Sequence, residues 1–577
     1  MKLTRLLFAL FAGAAVLQAA PGKTADAAFE AVAKTCLDDY LRLNPEYATQ
    51  LGDHRFDGLL TDYSPAAIRT KVKTMRRHLA ALAGINHPQL TGPNRVDARI
   101  LQLNLEAQLF YLTELKSQDW DPLSYNSSLA DSIYLLTARD FAPAADRLRS
   151  AAQRLAGISA VIAQAKANLV NPPEIYTQTA IKQLTGAIGF VRDGLDPLLA
   201  EAPALKAELA PLQARAAAAL TEYKEWLEKD LLPRSKGDFR IGADLYRKGL
   251  RYTLASDLTP EQILARAEQE LETVTQQLYA TALPLHRKYF PDAGASAETD
   301  RRKVIKAVLD HLASEHPDNA TVVDFGRQTL QRCTDFVRAH DLITVPDTPI
   351  EMIVTPEFRR GRSIAYCDSP GALEPNGKTF VAIEPTPSDW PEARVVSFFR
   401  EYNNHMMGDL LVHEAMPGHF LQLAHSNRFQ APTLVRSIFQ SGTFIEGWAV
   451  YAERVMADAG FGGPENRMQQ LKMRLRVLCN AILDQKIHMA GMTKEQGLEL
   501  MMQRGFQEEG EAVAKWQRAQ LSYTQLATYF VGAAEHDDMR AAAEKKWGAS
   551  FNLKKYNDLV LSVGSPAVKF VREEVGL

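Results

Sequence analysis

The sequence predicts a large, mainly α-helical protein with a small antiparallel sheet. Three observations lead there. Apolar residues recur at three- and four-residue spacing through most of the chain, helix-start signals precede several of these stretches, and one short region near residue 350 is β-branched and broken by proline and glycine.

In chain order, amphipathic periodicity runs through 28–41, 67–82, 96–115 and 147–165, and the alanine-rich stretch 200–231 continues it. Thr259-Pro260-Glu261-Gln262 has the composition of a helix start, with threonine as cap, proline in the first turn and glutamine to complete a capping box. No fixed-period repeat appears, which argues against a solenoid. Composition changes at about Val345. The runs 350–355, 363–367 and 378–383, separated by turns such as Pro375-Asn376-Gly377, read as three antiparallel strands. Helices resume over 465–489, after a second capping box at Thr493 to Gln496, and over 508–530. The expected organisation is a signal peptide over 1–20, a helical region over 21–345 and a metal-binding region over 346–577, the last two either separate or one continuous domain.

The first twenty residues carry Lys2 and Arg5, then the apolar run Leu6 to Leu17, then Ala19 and Ala20. That is the layout of a secretory signal peptide, and the run is too short to span a bilayer. With no cysteine just after the cleavage point to take a lipid, a soluble periplasmic or secreted protein is expected. The chain is 46% hydrophobic and 23% charged, ordinary for a globular protein. Its formal charge is −3, or −3 − 2 = −5 without Lys2 and Arg5, which gives no reason to expect nucleic acid or an anionic membrane as a partner. Cys36, Cys333, Cys367 and Cys479 are scattered and read as free thiols. No glycine-rich phosphate loop, nucleophile elbow or Cys-x-x-Cys pair stands out.

The chemistry concentrates in His413-Glu414-Ala415-Met416-Pro417-Gly418-His419. Imidazoles suit zinc, and a glutamate directly after the first histidine is where a zinc hydrolase keeps its base. The two histidines are six apart, so in a straight helix they would point about 120° away from each other. Pro417 cannot donate to the His413 carbonyl, and Gly418 adds freedom at the same point, so a break at Pro417-Gly418 is expected to bring His419 back toward His413. A third ligand is expected from Glu446-Gly447-Trp448-Ala449-Val450-Tyr451-Ala452-Glu453. Glu446 is preferred, because it lies near a helix opening beside Gly447. Glu453, seven residues on and on the same helical face, remains the alternative.

These two strings, His413 to Gln422 and Glu446 to Glu453, resemble the bacterial domain-of-unknown-function 885 family, grouped with glutamate-liganded zinc peptidases. Tyr47 to His54, Arg359 to Tyr366, Ile487 to Thr493 and Gln520 to Tyr523 fit as well, so the resemblance spans nearly the whole mature chain. It implies a helical, zincin-like metallopeptidase fold with a deep cleft, and it implies no substrate.

The reading that follows is a zinc-dependent hydrolase, most simply a peptidase of short peptides. His413, His419 and Glu446 hold the metal, and Glu414 is the base for metal-activated water. A donor to the developing oxyanion is expected from His488, Tyr523 or Tyr529; the resemblance favours the first two, and Tyr529 stays open. Asp409, Glu453 and Gln422 are candidates for orienting the ligands. Arg359, Arg360 and Arg362 are candidates for clamping a substrate carboxylate, which would make the enzyme a carboxypeptidase or dipeptidase. The alternatives are a non-catalytic, metal-stabilised peptide-binding protein and a metal hydrolase of non-peptide amides or esters.

Overall fold

The computed structural model describes residues 24–294, 298–355, 364–374 and 377–577. Helices make up most of it, and the periodic stretches are among them. Ala25–Leu43, Pro65–Ala83, Gly92–Phe110 and Ala144–Asn168 each bury an apolar face; in the first it is made by Phe29, Ala33, Leu37 and Leu41. Both capping boxes form. Thr259 and Gln262 cap each other at the start of Pro260–Tyr289, and Thr493 and Gln496 do so at the start of Lys494–Glu499.

The cores are shared between distant parts of the chain. Leu271 and Leu278 of Pro260–Tyr289 pack with Leu475, Leu478 and Ile482 of Gly463–Ala490 and with Phe530 and Ala534 of Ala527–Trp547. Phe29 and Leu101 pack with Val435, Ile438 and Phe570. Residues on both sides of position 345 therefore lie in common cores.

The sheet corrects the expectation of an antiparallel one. β1 (Ile350–Val354), β2 (Ala365–Asp368) and β3 (Thr379–Ile383) lie in the order β1-β3-β2. β2 runs antiparallel to β3, but β1 is parallel to β3, with Ile350 opposite Thr379. The turn chemistry after β2 specifies only the local pair. The β1–β3 pairing is non-local, and the chain between them is long enough for the crossover that parallel strands require. Val381 and Ile383 of β3 are fully buried, in one core with Cys333 and Val337 of Val322–Ala339.

A second difference is the stretch 508–530, which forms two helices, Glu509–Gln520 and Ala527–Trp547, in place of one. Between them Thr524 adopts φ 65°. Side chains from Gly463–Ala490 account for the break. The His488 Nε2 donates to the Ser522 carbonyl at 2.9 Å, and the buried Asp484 carboxylate accepts from the Thr524 and Ala527 backbone. Backbone groups that a continuous helix would pair internally are taken by tertiary partners.

All four cysteines are free thiols; Cys36, Cys333 and Cys479 are buried and Cys367 partly so. The expected signal peptide, the cluster Arg359, Arg360 and Arg362, and Pro375-Asn376 lie outside the described residues. No helix among the described residues is long and apolar enough to cross a membrane.

Candidate metal centre

The first histidine sits at the end of Asn404–Glu414, a helix whose start is capped by the Asn403 side chain accepting from the His405 and Met406 N–H groups. This helix does not continue to Pro417 with a kink. It stops at Glu414, the Ala415 and Met416 N–H groups both turn back to the Leu411 carbonyl, and a new helix, His419–Ser426, begins at the second histidine. The bend comes from two helices joined by a tight turn. Proline has no N–H for the His413 carbonyl. Gly418 packs its backbone against that carbonyl, and a Cβ there would lie 1.9 Å from the His413 oxygen. The Trp448 indole donates to the Pro417 carbonyl at 2.9 Å, tying the turn to Gly442–Asp458.

The result is convergence. The two imidazoles are 4.7 Å apart and nearly perpendicular, and their Nε2 atoms lie 3.7 Å (His413) and 3.5 Å (His419) from one oxygen of Glu446. Those separations are long for hydrogen bonds, and the Glu446 oxygen is buried with no hydrogen-bond partner among the described residues. They come close to the spacing of about 3.3 Å expected between neighbouring ligands of a tetrahedral zinc ion with bonds of about 2.0–2.1 Å. His413, His419 and Glu446 thus form a group able to hold a metal ion, with donor atoms within 4.8 Å of one another. Two imidazoles and a carboxylate are a donor set that zinc accepts.

Glu453 takes a different place. Its carboxylate meets the other nitrogen of His413, Nδ1, at 2.6 Å, and its side chain is fully buried. That contact fixes the ring so that Nε2 faces Glu446, the usual relation between a ligating histidine and a supporting carboxylate. Asp409, one turn before His413, is also buried, and both of its oxygens lack hydrogen-bond partners among the described residues.

The charge balance invites a cation. Burial pushes the carboxyls of Asp409, Glu414 and Glu453 above their ordinary range, Asp409 well above it with the neighbouring Glu453 adding to the effect. At Glu446 burial is outweighed by the two facing imidazoles, and its carboxyl is held below the usual range. Burial likewise opposes a charged His413, yet Glu446 and Glu453 on its two sides push its pKa well above the ordinary imidazole value. Four carboxyls around two imidazoles favour positive charge at the centre, as a proton or a metal ion.

Glu414 faces the same centre. It feels both imidazoles and accepts from the backbone N–H of Cys367 in β2, which places that edge strand beside it. Of the three expected oxyanion donors, Tyr529 is the one whose phenol feels the Glu446 charge, which with burial raises its pKa. It reaches this position because Ala527–Trp547 crosses Gly442–Asp458 at a pair of glycines: a Cβ on Gly532 would lie 2.0 Å from the Thr443 carbonyl, and one on Gly447 2.3 Å from Gly532. The Tyr529 oxygen receives the Arg518 guanidinium at 3.2 Å and the Gln525 amide at 3.4 Å. His488 is instead bound on both nitrogens by backbone, the Ile241 N–H and the Ser522 carbonyl, and burial lowers its pKa to about 4. Tyr523 packs 6.3 Å from Trp120. Gln422 donates to the Ser565 hydroxyl at 2.7 Å. Sequence reasoning missed Arg518, Gln525 and the Cys367 N–H. Arg518, near the end of one helix, and Gln525, in the connection to the next, reach Tyr529 only because of the break there, for which the sequence carries no turn signal, and the third depends on sheet order.

The fold and site define a mainly helical protein with a small mixed sheet and a candidate His-His-Glu metal group. The chain belongs to the DUF885 family, bacterial proteins of unknown function, which matches residues 45–575. Among solved structures it is similar to a putative lipoprotein of unknown function from Shewanella oneidensis, at 32% identity and a TM-score of 0.79, over 94% of this chain and 99% of that one. A putative lipoprotein from Colwellia psychrerythraea, at 18% identity, shares the fold with a TM-score of 0.78 over 96% and 99% of the two chains. No curated protein matches.

Proposed function

We propose that this protein is an exported, zinc-dependent peptidase of short peptides. One observation carries the reading: the Nε2 atoms of His413 and His419 converge on an unbonded Glu446 oxygen, with Glu414 adjoining. A divalent ion held by those three residues would supply Lewis acidity, polarising a carbonyl and lowering the pKa of water to about 7.

The residues supply the rest. Glu414, half-buried and with its pKa raised by desolvation, takes a proton from the attacking water as its oxygen bonds to the scissile carbonyl carbon, and gives it to the leaving nitrogen as the C–N bond breaks. Tyr529 donates to the developing oxyanion. Its oxygen is occupied by Arg518 and Gln525 as donors, so its own proton is left for an acceptor on the Glu446 side. Glu453 keeps the His413 ring in place. β2, whose Cys367 N–H already reaches Glu414, offers an edge along which an extended peptide can lie. Export rests on the signal-like first twenty residues and agrees with the lipoprotein descriptions of the similar structures.

The test is turnover of a mixed peptide pool, read by mass spectrometry, before and after chelation and zinc restoration. Cleavage that is lost with zinc and regained with it supports the reading. A zinc-loaded protein that cuts nothing in the pool refutes it.

A further inference from the structure

Arg518 stands out beside Tyr529 as a cation that makes no close ion pair among the described residues, although Glu511 feels its charge. Its Nη2 donates to the Gln525 Oε1 at 3.0 Å and to the Tyr529 oxygen at 3.2 Å, and among the described residues it makes no ion pair. Its two nearest charged neighbours along the helix are otherwise engaged: Glu511 is held by Arg476, and Lys515 is buried beside Glu511. The guanidinium is exposed, and only part of its donor fork is used.

Position turns this into specificity. The Arg518 Nη2 lies 3.2 Å from the Tyr529 oxygen, so a substrate whose scissile carbonyl meets the Tyr529 hydroxyl has this guanidinium within about one residue of the reacting bond, the rise of an extended peptide being about 3.3 Å per residue. A substrate that runs from Tyr529 toward Arg518 would bring the carboxyl group of its next residue there. In the interior of a peptide that group is neutral; at the end of a chain it is a carboxylate, which the donors left on Nε and Nη1 of the guanidinium bind by charge-assisted hydrogen bonding. Gln525, held by the same arginine, would orient the fork.

We propose that Arg518 anchors the free C-terminal carboxylate of the substrate, so that the enzyme releases one residue at a time from the C-terminus of short peptides. This rests on the peptidase reading above, with Tyr529 at the scissile carbonyl, and Arg518 acts by binding substrate.

Binding tests it without turnover. Glu414→Gln protein, loaded with zinc, is titrated with a peptide, its C-terminal amide and an amide ending in glutamate. The free acid should bind at least about tenfold more tightly than either amide, the size expected of a charge-assisted contact. Arg518→Gln should erase the difference and Arg518→Lys restore part of it. In active protein, Arg518→Gln should raise KM for free-acid peptides far more than it lowers kcat. Equal affinity for acid and amide, or no binding of either, overturns the anchor. A glutamate-ended amide that matches the free acid also overturns it, since the site would then read a side chain. Internal cleavage of amidated peptides would overturn the anchor while leaving the peptidase reading intact. Failure to take up zinc is read separately and counts against the peptidase reading.

Discussion

Two buried polar clusters tie distant parts of this chain together, and they differ in whether their atoms are satisfied. Around Arg436, which is 1% exposed, Asp97 and Glu574 accept from three of its guanidinium nitrogens at 2.7–2.9 Å, the Val563 and Pro93 carbonyls take further bonds, and Thr433 completes Asp97. Around His413 the supporting Asp409 and Glu453 are as deeply buried while the candidate ligands are partly exposed, and buried oxygens of Asp409, Glu446 and Glu453 and the His419 Nδ1 have no hydrogen-bond partner among the described residues. Burying polar atoms without partners costs about 1–3 kcal/mol each. The first cluster is complete as a structural joint; the second leaves donor atoms open for the proposed ion.

The comparison can be broken, and the largest effect is expected at the base. Glu414→Gln should lower peptide turnover about 10²- to 10⁴-fold while zinc content stays at the wild-type level. Loss of zinc in the same variant would make Glu414 a ligand. Next comes the closed cluster. Arg436→Met should cost about 3–5 kcal/mol in denaturant unfolding, because it strands the buried Asp97 carboxylate and the partly buried Glu574 one, and should leave zinc affinity unchanged. If zinc affinity falls as well, the two clusters are not independent.

Glu453→Gln should do the opposite, weakening zinc about 10- to 100-fold through the loosened His413 ring. Unfolding of its metal-free form should change little, since a buried carboxyl with one unpaired oxygen is replaced by an uncharged amide. The smallest effect is at His54, which stacks on Phe141 and bridges Asp57 to Glu374, in the stretch following β2. Burial opposes its charge, but the two carboxylates outweigh it and raise its pKa to about 9. Its folded pKa lies above the unfolded value of about 6.5. The contribution is therefore complete below that value and lost as pH rises through about 9. Wild type should exceed His54→Asn in stability at pH 6, and the gap should close by about pH 10.

Much of the helical half was legible because its signals are local. Thr259 to Gln262 and Thr493 to Gln496 cap helices wherever they occur, and the periodic faces bury as written. The metal group was legible for a similar reason: a proline four residues after His413 forces the ladder to end. The exact mode, two helices closed by Gly418 against the His413 carbonyl, depends on a backbone approach that only coordinates show. The choice of Glu446 over Glu453 as third ligand turned on which imidazole nitrogen each meets, and both lie on one helical face, so spacing left it open. Sheet order and the break at Thr524 were set by partners far away in sequence: β1 on β3, and His488 and Asp484 on the backbone near Ser522 and Thr524.

The central claim is that His413, His419 and Glu446 hold one divalent ion. Its most direct test is elemental analysis after dialysis against limiting zinc, for wild type and His419→Ala side by side. One zinc per wild-type chain and almost none in the variant is the expected result. A folded wild type that takes up no zinc, or a variant that binds as much as wild type, would contradict it.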